Sequence, residues 1–344
     1  MYVIDPLSDP RWTPFVQRHP QACAFHTQGW IRALASTYNY KAFAVTSSPP
    51  GTELSDAIPV CRVESWATGR RLVSLPFTDH CEPLFRPAAV GEAVNFLGEF
   101  ARQERYKNLE IRPTGPLTDA LAWNRNRSAE YAIHWLDLTR SLETIFNTLH
   151  KDSIQRKIRR AEREQLEYVE GRSSEIISQF YTLLVRTRRR HQLPPQPKNW
   201  FRNLAQELGD SIQYRIALKQ GMPIAAIVTL THPNSVIYKY GCSDERYHST
   251  GSMPFLFWRL IQEAKGKGTA LLDFGRSDLD NPGLIRFKDQ WGTRRSELVY
   301  YRFPPPDRTG SSPRAGAGAA KAVFACLPDG LLELAGRVIY RHIG

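Results

Sequence analysis

Apolar positions recur with two different spacings along the chain. Runs that alternate every second residue predict strands, because successive side chains of an extended backbone point to opposite faces. They occupy Lys41–Thr46, Ala57–Val63, Leu72–Leu75, Asn108–Arg112, Ala132–Leu138, Gln213–Lys219, Ile224–Thr231, Val236–Tyr240, Ala270–Phe274 and Glu297–Phe303. Runs spaced near 3.6 predict helices over Val90–Arg105, Lys151–Gln165, Ser174–His191, Asn199–Leu208 and Phe255–Lys265. Local chemistry marks several ends. Ser141 can cap a short helix and Ser252 another, and Leu193-Pro194-Pro195-Gln196-Pro197 must stop the helix before it, since proline supplies no amide. Strands mixed with amphipathic helices make this an α/β chain.

The order of elements is used twice. Trp30-Ile31-Arg32-Ala33-Leu34-Ala35 resembles Trp200-Phe201-Arg202-Asn203-Leu204-Ala205, and Leu109-Glu110-Ile111-Arg112 stands where Leu272-Asp273-Phe274-Gly275-Arg276 stands in the second half. This predicts a duplicated domain, with halves at 1–138 and 139–303. After Phe303 come Pro304-Pro305-Pro306 and a Gly- and Ala-rich stretch over Gly310–Ala320, which predict a flexible linker. The tail Val323–Ile343 reads as basic and amphipathic, suited either to docking on the protein body or to lying on an anionic membrane.

Composition narrows the function. Among 344 residues, 46 basic against 34 acidic side chains leave a net charge of +12, which favours anionic partners without choosing one. The five cysteines (Cys23, Cys61, Cys81, Cys242, Cys326) are odd in number and form no CxxC, so reduced thiols in a cytosol are expected and a zinc ribbon is not. No secretory leader and no run of about 18 apolar residues is read, so the expected place is the cytoplasm, at most against the inner face of the plasma membrane. GxSxG, HExxH and GxxxxGK[ST] are absent, which disfavours serine hydrolases, zinc proteases and P-loop enzymes. No metal site is expected.

The richest chemistry lies in Asp273-Phe274-Gly275-Arg276-Ser277 followed by Phe287-Lys288-Asp289-Gln290-Trp291-Gly292. Arg276, at the end of a buried strand, offers a guanidinium fork suited to phosphate or carboxylate. Lys288, flanked by Phe287 and Trp291, can bring a positive charge to an apolar cleft, where it stabilises an oxyanion better than in water. Asp244 and His191 are the candidate proton acceptors. Tyr238 and Tyr240 flank Lys239 on a strand, which would turn both rings to one side, towards either core or substrate. Arg156 and Arg159 belong to a basic helix that is either a solvated face or a seat for a polyanion.

Taken together, Arg156–Glu162, Thr187–Pro195, Tyr238–Asp244, Phe255-Leu256-Phe257-Trp258, Asp273–Ser277 and Phe287–Gly292 resemble the Fem-like branch of the GNAT acyltransferase superfamily. That branch holds aminoacyltransferases of peptidoglycan cross-bridges and proteins associated with exopolysaccharide and exosortase systems. The resemblance implies tandem GNAT-like domains with mixed, mainly antiparallel sheets. It also implies transfer of an acyl group from acyl-CoA or aminoacyl-tRNA to an amine or hydroxyl of a cell-envelope precursor, a lipid-linked glycan or an exopolysaccharide. Lys288 would be catalytic; Arg276, Ser277, Trp291, Tyr238 and Tyr240 would bind substrate. The loop Arg246–Gly251 departs from the R-x-x-G-x-G/A of acetyl-CoA enzymes, and the donor stays open between the two classes. The rival reading is a non-catalytic protein that binds nucleic acid or a membrane surface through the basic helix.

Overall fold

The computed structural model describes residues 1–117, 124–305, 324 and 327–344, and these divide into two compact units. Unit one holds Met1–Tyr131, the chain from Glu297 to the end of its last strand, and Val338–Gly344; unit two holds Ala132–Ser296 and the tail residues up to Arg337. The predicted linker Gly310–Ala320 lies outside the described residues.

The strands are β1 (Tyr2–Ile4), β2 (Lys41–Thr46), β3 (Ile58–Ser65), β4 (Gly69–Val73), β5 (Asn108–Ile111), β6 (Arg127–Asp137), β7 (Glu167–Gly171), β8 (Ile212–Lys219), β9 (Met222–His232), β10 (Ser235–Ser243), β11 (Leu271–Asp278) and β12 (Arg294–Phe303). The helices are α1 (Trp12–Arg18), α2 (Gln28–Tyr38), α3 (Pro87–Gln103), α4 (Leu142–Thr148), α5 (Arg156–Arg163), α6 (Ser174–Arg190), α7 (Lys198–Leu208), α8 (Ser252–Gly266), α9 (Pro282–Asp289) and α10 (Asp329–Ile343).

In unit one the strand order is β1-β2-β3-β4-β5-β12, antiparallel except for the parallel pair β4–β5. Helix α3 makes the crossover between those two strands and buries Val90, Val94 and Leu97 against Leu72, Leu109 and Ile111. In unit two the order is β6-β11-β10-β9-β8-β7, and the same device recurs: β8, β9 and β10 are antiparallel, and α8 leads from β10 to its parallel neighbour β11. A parallel pair requires such a crossover. Trp30 on α2 and Trp200 on α7, the anchors of the sequence repeat, are both fully buried. The chain is therefore a tandem α/β protein with mixed, mainly antiparallel sheets flanked by helices.

Three local expectations differ from the structure. The basic helix begins as a single π turn over Lys151–Gln155, capped by His150, before α5 continues it. Ser252 is the first residue of α8 and not its cap; that position belongs to Gly251, in the left-handed region at φ +81°. Finally, α9 occupies a stretch for which the periodicity predicts no helix, because Asn281 accepts the Leu284 amide at 3.1 Å and Pro282 takes the first helical position.

Candidate functional site

The site in unit two is built where β11 leaves its parallel partner. β10 and β11 pair only from Ser235↔Leu271 to Ile237↔Asp273, although β10 runs on to Ser243 and β11 to Asp278. Two features explain the parting. β10 is bulged between Tyr238 and Tyr240, and in β11 the Asp273 carboxylate accepts the Gly275 amide at 2.7 Å while Gly275 takes φ +70°, which glycine adopts without strain. The facing backbone edges beyond this point are not paired with each other, so an extended ligand can hydrogen-bond there as an added strand would. β10 then leads through a 3₁₀ turn, Glu245–Thr250, into the N-terminus of α8, whose amides favour negative charge.

Helix α9 returns Lys288 to β11. The side chain is only 2% exposed, and its ammonium donates to the carbonyls of Gly275 at 2.8 Å and Arg276 at 2.9 Å. Such bonds are what a buried cation requires. Lys288 is thus anchored to the backbone at the end of β11, where the half-buried Arg276 stands. Next to Lys288 in sequence, Asp289 bonds Nε2 of the fully buried His134 at 3.1 Å. Burial lowers the His134 pKa first, and the nearby Lys288 charge lowers it further. His134 Nδ1, Ser277 Oγ and Trp291 Nε1 are buried and find no hydrogen-bond partner among the described residues. Trp291 itself belongs to the core, its ring 5.3 Å from Phe257 and 6.0 Å from Phe274.

At the end of β10, Asp244 is enclosed by arginines, with Arg246 at 2.6 Å and Arg186 at 3.1 Å. Hydrogen bonds from Arg246 hold its pKa down to about 2, so it is a weak base at neutral pH and its geometry is that of an ion-pair hub. Arg186 and Arg246 also line a cleft of about 420 Å³ with Ser178, Gln179 and Thr182. Thr187 of α6 both accepts the Ser243 amide at 3.0 Å and donates to the Ser243 carbonyl at 3.2 Å, which fixes the end of α6 on the end of β10. His191 follows as the C-cap of α6, exposed, its pKa lowered by burial of the ring and by Arg190 and Arg188.

The two tyrosines do not share a side. Tyr238 packs at 4.7 Å against Phe257 of α8, whereas Tyr240 packs at 5.1 Å against Phe201 of α7 and its hydroxyl accepts from Trp200 Nε1 at 2.8 Å. The bulge between them reverses the alternation that the sequence predicts. Arg156 is solvent-exposed, 3.7 Å from Asp152, and Arg159 lies over the Phe146 ring at 5.7 Å. The sequence analysis missed His134, Arg186 and His248, which bonds Ser243 Oγ at 2.9 Å. A histidine inside the apolar run Ala132–Leu138 was the one available signal. Among the described residues no group of three or more His, Cys, Asp or Glu could hold a metal, and Cys23, Cys61, Cys81 and Cys242 are buried and in no disulfide.

Residues 150–289, which carry the Lys288, Asp244 and β10–β11 geometry, match the family model described as acetyltransferase (GNAT) domain. The match falls within the second unit. No curated protein matches the chain. Among solved structures, FemX superposes with TM-score 0.67 at 12% identity, covering 87% of this chain and 97% of that one. L-PGS from Bacillus licheniformis gives TM-score 0.56 at 15% identity over 99% and 98%. A tandem GNAT protein from the clavulanic acid biosynthesis pathway gives 0.54 at 16% over 89% and 99%. At these identities the likeness is one of fold, shared with FemX and with a tandem GNAT protein.

Proposed function

We propose that this GNAT protein moves an acyl or aminoacyl group from acyl-CoA or aminoacyl-tRNA to an amine or hydroxyl of a cell-envelope precursor, with a lipid-linked glycan or exopolysaccharide as the acceptor class. The observation that carries the reading is the parting of β10 from β11 with a buried lysine at its edge. The donor's extended arm would lie along the unpaired strand edges, and its phosphates would meet the N-terminus of α8 and the Arg276 guanidinium. The reacting carbonyl would sit near Lys288, whose charge opposes the negative charge that grows on oxygen as the acceptor attacks. Alignment of the two substrates supplies much of the acceleration. His191, neutral at pH 7, is the better proton acceptor, since Asp244 is held by two arginines.

Thermal shift tests the reading directly. A donor bound at 100 times its Kd stabilises the fold by about 2.7 kcal/mol, a rise of roughly 3–5 °C for a protein of this size. Acetyl-CoA, a long-chain acyl-CoA and an aminoacyl-tRNA are compared, with and without UDP-linked sugar precursors. The proposal expects at least one donor to raise Tm saturably. A flat response to all of them would overturn it.

A further inference from the structure

The exposed face of α10 is apolar and basic at once. Leu331, Leu334 and Val338 are 52%, 54% and 50% exposed, and their i, i+3, i+7 spacing sets them in one stripe. Arg337 and Arg341 are exposed on the same helix, and neither has an ion-pair partner among the described residues. The two acidic residues of the helix are engaged elsewhere. Asp329 pairs with Arg189 at 2.5 Å, and Glu333 is half-buried, its pKa raised by burial and by Asp329.

The helix is held by its other side. Leu332 is fully buried, and a Cβ on Gly336 would stand 1.9 Å from the Pro195 carbonyl oxygen, so that turn lies directly on the backbone after α6. At its last turn the carbonyls of Tyr340 and Arg341 accept from Tyr40 Oη at 3.2 and 3.1 Å, and the His342 carbonyl accepts from Arg71 at 3.0 Å. His342, four residues beyond Val338, continues the stripe. Trp66, on the turn between β3 and β4, packs edge-on against its ring at 5.3 Å yet remains 86% exposed. Three aliphatic side chains and two arginines thus share one exposed helix face, and the exposed Trp66 stands beside its last turn. Tryptophan favours the boundary between hydrocarbon and water, and basic residues favour anionic headgroups.

We propose that this face docks the protein on the surface of a bilayer containing anionic phospholipid, with α10 lying in the interface plane and Trp66 anchoring its C-terminal end. Charge complementarity selects this occupant: the chain carries +12, and the outward arginines would repel each other across a symmetric contact between two copies. The proposal does not depend on the transferase reading.

Vesicle flotation of the full chain tests it, with phosphatidylcholine alone against phosphatidylcholine containing phosphatidylglycerol. Wild type is expected to float with the anionic vesicles about tenfold more than with neutral ones. R337E/R341E should abolish that preference, L334S/V338S should reduce binding to both, and W66A should shorten residence on the vesicles. All these changes are at exposed positions, and unchanged Tm values would show that the variants fold. Equal flotation of wild type and R337E/R341E would overturn the proposal. So would absence of vesicle binding accompanied by a dimer that L334S/V338S dissociates.

Discussion

Gly251 and His134 show how single positions hold the site together. At Gly251, with φ +81°, an added Cβ would lie 2.2 Å from the Lys157 carbonyl oxygen, which is backbone and cannot rotate away. Gly251→Ala therefore combines left-handed strain with a clash, and should cost about 2–4 kcal/mol. A fall in Tm of roughly 3–6 °C would show it. His134 makes a prediction about pH. Its folded pKa lies below the ordinary 6.5 because burial and Lys288 both oppose a proton. Above 6.5 the ring is neutral folded or unfolded and contributes no slope. As pH falls below 6.5 the unfolded chain takes up the proton first, so stability declines. His134→Gln removes this contribution, and its Tm should fall less steeply than wild type between pH 7 and pH 5. Parallel curves would refute the linkage.

At the scale of elements, long and strongly patterned segments were legible in sequence: β2 lies on its expected residues, and α6 and α7 differ by one residue at an end. Shorter ones were not. β7, five residues at an edge, exposes both its glutamates, so it shows little apolar alternation. Helix α9 is eight residues with Pro282 and Gly283 at its start, a composition that reads as loop until the Asn281 cap is seen. The DFGRS and FKDQWG segments were visible as chemistry, and the structure unites them through the Lys288 bonds to Gly275 and Arg276. The His134–Asp289 pair was not, because 155 positions separate its members and strand order alone makes them neighbours. Tyr238 and Tyr240 were misplaced because a bulge leaves no mark in a period-two pattern. Helix α10 supplies the element-scale prediction. Gly336→Ala should lift its middle turn from Pro195 and speed limited proteolysis within Asp329–Ile343 by about tenfold, with little change in the main unfolding transition.

Across the whole molecule, the order β1 to β5 of the first unit recurs as β7 to β11 in the second, whereas the strand after β5 is the late β12 and the strand beside β11 is the early β6; the kinked strand, buried lysine and histidine–aspartate pair are described in the second unit. The net charge of +12 draws anions to both. Affinity for a phosphorylated donor should accordingly fall several-fold between 50 and 500 mM salt, measured by calorimetry; constant affinity would mean that its phosphates meet no exposed cation. The claim on which the account turns concerns Lys288, and Lys288→Met tests it most directly, since the variant keeps the buried methylenes and removes the charge. Single-turnover transfer from a donor that binds both proteins should slow by at least about 10²-fold while the variant remains folded and still takes up the donor. Transfer by the folded variant within threefold of wild type would contradict it.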